Sequence, residues 1–159
     1  GNLLQEVQSD WGNVKVGGVD FSTGGVEHSR RIMPGGDFCV ADIRNMSVVP
    51  SQAYDFVWTH GVVWYILERE VCSVVLDMVR IVKPGGAVLI ADMRDPNHAV
   101  ACQMGKSDGG GSHYKINKLE KCISHLGLKV DYIGMKDITG GVYDTYCSAE
   151  LYVAMLKKL

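Results

Sequence analysis

The feature that most constrains the fold is the recurrence of short apolar runs that end on polar or charged residues. VKVGGVD ends at Asp20, DFCVADI carries its acid at Asp42, YDFVWTH ends at Thr59 and His60, and AVLIAD ends at Asp92. Continuous apolar runs of this kind indicate strands covered on both faces. Between them lie helical signals. Val71, Val74, Val75, Met78, Val79 and Val82 recur at three- and four-residue spacing, which predicts a helix over 68–82. Arg80 and Lys83 bring positive charge to its negative pole, and Pro84-Gly85-Gly86 forbid its continuation. GVEHSRRIM predicts a helix stopped by Pro34-Gly35-Gly36, and Leu3, Leu4 and Val7 predict a short one over 2–10, ended near Gly12.

Strands alternating with helices imply right-handed crossovers and an α/β fold with a doubly wound, mostly parallel sheet. A loop over 93–113, with Pro96 and SDGGGS, then leads to INKLEKCISHLGL, a helix with Gly127 at its C-terminal cap. KVDYIGMKDI and CSAELYVAML are two strands joined by a Gly-Gly turn, hence an antiparallel C-terminal pair that adds an antiparallel edge. With 159 residues, 47% of them hydrophobic, the chain buries one core, so a single domain over 1–159 is expected.

The formal charge of −2 has no basic block behind it, which argues against a broad nucleic-acid footprint. No apolar run reaches the roughly 18 residues of a membrane span, and no signal-peptide pattern opens the sequence, so a cytoplasmic protein is expected. Cys39, Cys72, Cys102, Cys122 and Cys147 form no C-x-x-C pair and sit mostly among apolar residues. That pattern suits reduced core thiols better than disulfides or zinc, and no metal site is expected.

In open α/β sheets ligands bind off the carboxyl ends of the parallel strands. The residues falling there are Asp20-Phe21-Ser22, Asp42-Ile43-Arg44, Thr59-His60-Gly61 and Asp92-Met93-Arg94. Asp20 has two readings: acceptor for both hydroxyls of a ribose, or cap of the following helix. Asp42, one strand-helix-strand unit later, is either the acceptor for an adenine amino group or a loop acid. His60 is a proton carrier or a polar wall of the pocket. Trp64 and Tyr65 would flank a planar ligand or simply pack. His98 and His113 lie in the loop, as substrate contacts or as solvent-exposed side chains.

VGGVDFSTGGVEHSRR, GDFCVADIRNM, YDFVWTHGVVWYI and MVRIVKPGGAVLIAD follow one another in an order and spacing that resemble class I S-adenosylmethionine-dependent methyltransferases, over nearly the whole chain. The resemblance implies a Rossmann-like methyltransferase fold with S-adenosylmethionine as cofactor and S-adenosylhomocysteine as product. It gives Asp20 the ribose hydroxyls, Phe21 the face of the adenine, Asp42 the adenine amino group, the Ile43 N–H a ring nitrogen, and Thr59 and His60 the methionine end and reacting methyl group, with Ser22 and Gly61 beside them in the cofactor site. His60 is the catalytic candidate, as a base where the acceptor must lose a proton. Lys83-Pro84-Gly85-Gly86 is a structural turn. No Asn-Pro-Pro-Tyr-like motif and no paired glutamates follow YDFVWTH, so by elimination a small-molecule methyl acceptor is expected.

In the resembled family a first strand and a glycine-rich turn precede the first helix, and Gly1 aligns with the last glycine of that turn. The first strand is therefore expected to be absent from this chain. Its usual place lies between the strands ending at Asp20 and Thr59, whose backbones would then lack partners. Either the chain is a fragment of a longer methyltransferase, or the sheet re-pairs through a displaced strand or a homo-oligomer. Whether this chain alone carries the activity stays open. The rival readings are a non-catalytic methyltransferase-like binding module and a nicotinamide-dependent dehydrogenase. The latter fits Asp20 but not the K-P-G-G turn or the antiparallel closing pair.

Overall fold

In the computed structural model, which describes residues 2–12, 14–94, 116–134 and 151–158, each of the four apolar runs is a strand. The chain divides into two compact units, residues 1–48 and 49–159.

The first unit holds α1 (Asn2–Trp11), β1 (Gly17–Asp20), α2 (Thr23–Ile32) and β2 (Asp37–Val40). β1 and β2 are parallel, in register from Gly17 opposite Asp37 to Asp20 opposite Val40. Val16, Val26, Met33 and Phe38 form the buried core, with Leu4, Val14 and Ile32 packed against it. The Arg30 guanidinium reaches from α2 to the Phe38 carbonyl, donating at 3.1 and 2.6 Å, and so ties the helix to β2.

The second unit holds β3 (Tyr54–Thr59), α3 (Glu68–Ile81), β4 (Val82–Arg94), α4 (Ile116–Ile123), β5 (Lys129–Gly134) and β6 (Leu151–Lys157). Its strand order is β3-β4-β6-β5, with β3 parallel to β4 and β6 antiparallel to both its neighbours. The predicted stripe of α3 is the buried one: Val71, Val74, Val75 and Met78 are each at most 1% exposed. No helix among the described residues is long and apolar enough to cross a membrane.

Four details differ from the sequence reading or sharpen it. First, the strands are hydrogen-bonded in two groups, and among the described residues β1 and β3 are each bonded on one side only. Second, the closing pair does form the antiparallel edge of the sheet, in an order the sequence did not state: β6, the last strand, lies inside and β5 is outermost. Burial explains the order. Val153, Ala154 and Leu156 of β6 are buried, whereas β5 carries Lys129 and Asp131, the charges that suit an edge strand. The Gly-Gly connection between them lies outside the described residues.

Third, Lys83-Pro84-Gly85-Gly86 is a bulge within β4 rather than a separate turn. Tyr54 pairs with Val82 and Phe56 with Ala87, so the four residues are looped out of the ladder. Gly85 takes a left-handed φ of 79° and donates its N–H to the Lys158 carbonyl, while the Lys158 N–H returns to the Gly86 carbonyl.

Fourth, the cysteines are not all reduced thiols: Cys72 of α3 and Cys122 of α4 form a disulfide, with Cα atoms 5.3 Å apart. That separation lies within the range a disulfide spans. The two are 50 residues apart in sequence, so local spacing held no trace of the pair. Cys39 is free, and Cys102 and Cys147 lie outside the described residues.

At Gly86 an added Cβ would overlap the Asp55 carbonyl oxygen and come within 2.9 Å of the Val82 side chain. Gly86→Ala is therefore expected to destabilise by about 1–3 kcal/mol and to lower the melting temperature by roughly 2–10 °C. A thermal melt of the variant checks this, and an unchanged midpoint would show that β3 and β4 do not depend on that close approach.

Candidate functional site

In the first unit the site residues follow β1 and β2. Asp20 is the exposed last residue of β1, and its backbone carbonyl accepts from the Ala41 N–H. Its Oδ1 accepts the Ser22 N–H at 2.8 Å. The helix cap itself is Ser22, whose Oγ accepts the Gly25 N–H at 3.3 Å. The capping role thus falls to the serine, and Asp20 Oδ2 takes no hydrogen bond among the described residues. Gly25 allows this arrangement, because a Cβ there would stand 2.9 Å from Oδ2. Phe21 is 83% exposed, an aromatic ring uncovered beside that carboxylate.

Asp42 lies two residues past β2 and is gripped by Arg44. Nε donates to both carboxylate oxygens at 2.9 Å, and the Arg44 backbone N–H donates to Oδ1 at 2.8 Å. The guanidinium hydrogen bonds, then that backbone bond, hold the carboxyl well below its ordinary range, at about 2. Asp42 is therefore an oriented anion whose partner is its own neighbour, and Ile43 between them is half-buried. A ligand amino group would share this carboxylate with Arg44.

In the second unit β3 ends at Thr59, which stands opposite Ile90 of β4. Thr59 is 5% exposed, and among the described residues its buried Oγ1 has no hydrogen-bond partner. A buried hydroxyl left this way costs about 1–3 kcal/mol, and such groups in native proteins call for an explanation. His60 follows, exposed, and Gly61 turns the chain with a φ of 68°, where a side chain would be strained. The 3-10 turn Val63–Tyr65 follows, and Val62, Tyr65 and Leu67 are exposed there. Tyr65 at 73% exposure does not pack. In the first turn of α3, Glu70 Oε2 is a second buried oxygen without a partner.

Asp20, Phe21, Ser22, Asp42 and Ile43 are thus gathered within the first unit, and Thr59, His60 and Gly61 within the second. Asp92, Met93 and Arg94 form the carboxyl end of β4. Gly1, His98 and His113 lie outside the described residues. Among the described residues no group of three or more His, Cys, Asp or Glu could hold a metal. Sequence reasoning missed the roles of Gly25, Arg44 and Glu70. Only Gly25 left a signal: a Gly-Gly pair opening a helix is costly there unless something must approach closely.

Two measurements test this geometry. Gly25→Ala is expected to drive the Asp20 carboxylate off its present position, read as a changed Asp20 carboxyl carbon shift with the fold intact by circular dichroism. For Asp42 the folded-state value is depressed, so the Arg44 pairing stabilises the fold above the ordinary carboxylate range and is lost as pH falls through about 2. Its carboxyl carbon should titrate near that value, and Arg44→Ala, which keeps the backbone N–H, should raise the midpoint toward the ordinary range; a variant titrating like the parent would remove the guanidinium as the main cause.

A family profile described as a methyltransferase domain matches residues 1–86, just over half of the chain. No curated protein matches it. Solved structures do. A chain of the complex between the Haloferax volcanii Trm112 methyltransferase activator and the putative methyltransferase superposes with a TM-score of 0.76 at 15% identity, covering 98% of this chain and 76% of that one. An Archaeoglobus fulgidus SAM-dependent methyltransferase gives 0.74 at 12% identity, over 99% of this chain and 81% of its own. The [4+2]-cyclase SpnF gives 0.64 at 15%, over 96% and 70%. At such identities the structural likeness is one of fold alone. With the profile match over residues 1–86, it follows that the chain belongs to the methyltransferase-domain family and has the class I S-adenosylmethionine-dependent methyltransferase fold.

Proposed function

We propose that the protein transfers a methyl group from S-adenosylmethionine to a small molecule. The observation that carries this reading is the end of β1, where Asp20 keeps one carboxylate oxygen unpaired beside the uncovered ring of Phe21. A carboxylate at the end of such a strand accepts from the two hydroxyls of a ribose, and the ring offers a face to the adenine. Ser22 fixes the loop by capping α2. Asp42, turned by Arg44, accepts from the adenine amino group, and the Ile43 N–H donates to a ring nitrogen. Thr59, His60 and Gly61 take the methionine end, and the unpartnered Thr59 hydroxyl fits a polar group of that end. Gly1 belongs with them by its place in the resembled glycine-rich turn.

The cofactor, when bound, supplies an already activated methyl group. The protein's share is alignment of acceptor and methyl in a water-poor site, from which much of the acceleration comes. His60 takes the proton of an acceptor that must lose one; for an acceptor that need not, it is a polar wall. The exposed Val62, Tyr65 and Leu67 beside it suit an acceptor with apolar surface.

A second reading, a binding module that keeps the fold without methyl transfer, draws on the likeness to a cyclase, since the same fold there bears a different name of reaction. The nicotinamide-dependent reading loses its ground to the family match. Among the described residues β1 and β3 are each paired on one side only, and through such edges two copies would associate.

Calorimetry with S-adenosylhomocysteine tests the proposal. Asp20→Ala is expected to weaken binding by about 1–3 kcal/mol, roughly 5- to 150-fold. An affinity unchanged by the substitution would sink the assignment of Asp20. Binding without turnover of any acceptor would favour the module.

A further inference from the structure

We infer that Cys72 and Cys122 form a redox-sensitive latch that fastens α4 to α3. The helix α4 has eight residues, too few to be stable in water without tertiary support. Three features of the described residues support it. Leu119, Cys122 and Ile123, spaced three and four apart, are buried as one face. The Tyr132 hydroxyl of β5 donates to Glu120 Oε1 at 3.1 Å. The third tie is the bond from Cys122 to Cys72. Glu120 and Tyr132 make an exposed contact, which is worth little on its own. Of these ties the disulfide is the one that answers to the redox state of the surroundings.

The geometry suits reversible closure. In the closed pair the Cα atoms are 5.3 Å apart, within the range a disulfide spans. Cys122 is buried, but Cys72 is only partly so, which leaves the bond a side open to a small thiol. The oxidant is a low-molecular-weight disulfide of the glutathione class. One protein thiolate attacks it to give a mixed disulfide and release one small thiol. The second protein thiolate then displaces the other small thiol and forms the Cys72–Cys122 bond, so two protein thiols are oxidised as one small disulfide is reduced. A reducing glutathione pool opens the latch and an oxidising one closes it.

The bond also closes a long loop of the chain. The two cysteines are 50 residues apart, and the loop they close contains β4 with its carboxyl end at Asp92–Arg94. Closing such a loop removes freedom from the unfolded chain, which favours the packed α3–α4 pair. The latch rests on the α3–α4 packing and needs neither the cofactor nor the acceptor.

The full chain is equilibrated with oxidised or with reduced glutathione, and its amide hydrogen exchange is followed in each state. Oxidised protein should yield a crosslinked peptide joining Cys72 and Cys122 on non-reducing digestion. Amides of α4 should exchange about tenfold or more faster in the reduced protein, while those of α3 from Val74 to Val79 change little. Cys122→Ser should exchange like the reduced parent whatever the glutathione ratio, and Cys39→Ser should respond as the parent does. Equal exchange of α4 in the two states of the parent overturns the inference, as does failure of the crosslinked peptide to form under excess oxidised glutathione. Neither result bears on S-adenosylhomocysteine binding, which is measured separately.

Discussion

At the amino end of β4 three chain segments meet, and the second unit is built on how their backbone groups are satisfied. The helix α3 passes into β4 without a connecting loop, so its last carbonyls have no partner within the helix. Lys158, just beyond β6, supplies one. Its ammonium donates to the Val79 and Val82 carbonyls at 3.0 and 2.9 Å. Its backbone exchanges two further hydrogen bonds with the bulge at Gly85 and Gly86. On the other side of the bulge, Lys83 pairs with Asp55 of β3 at 2.9 Å. One lysine thus neutralises a helix terminus and pins the central antiparallel strand. With β4 fixed at this end, the register that carries Thr59 opposite Ile90 follows from the ladder.

The two acids of the first unit show how similar sequence positions acquire different chemistry. Asp20 closes β1 and Asp42 lies two residues past β2, and each accepts from the backbone N–H two residues on. Beyond that they diverge. Asp42 is closed upon by Arg44, which lowers its proton affinity and fixes its plane. Asp20 is kept open by what is absent, a side chain at Gly25. An acceptor that must grip two hydroxyls needs free lone pairs, and Asp20 has them. An acceptor for a single amino group tolerates a competing guanidinium, which suits the position of Asp42.

Much of this was legible in the sequence, because it rests on local patterns. The α3 stripe of valines, the left-handed Gly127 after α4, and the polar residues closing each apolar run all occupy the places their spacing implies. Features that join residues distant in sequence were not legible. The Cys72–Cys122 bond depends on the packing of α3 beside α4, and no window of sequence contains both. The placement of β6 inside the sheet depends on comparing two strands as neighbours of a third, a choice that hydrophobicity favours only once β4 is known to have a free side. Within the site, Arg44 was in view beside Asp42, yet its grip is a matter of rotamer and loop shape rather than of composition. The unpartnered oxygens of Thr59 and Glu70 are likewise properties of enclosure, which a sequence does not carry.

The inside position of β6 has a consequence for the order in which the protein becomes itself. Residues 151–157 are made after β5, yet they are the ones that join β5 to β4. During synthesis β3, α3 and β4 can gather on emergence, but one long edge of β4 stays open until the later strand arrives. β5 meanwhile has no sheet to join. Completion is therefore a late, long-range event, of the kind that slows folding and leaves an apolar strand exposed in the interval. For a nascent chain of this protein, the hazardous period is the wait for residues 151–157, when Ile90 and its neighbours stand ready to pair with any other strand that passes.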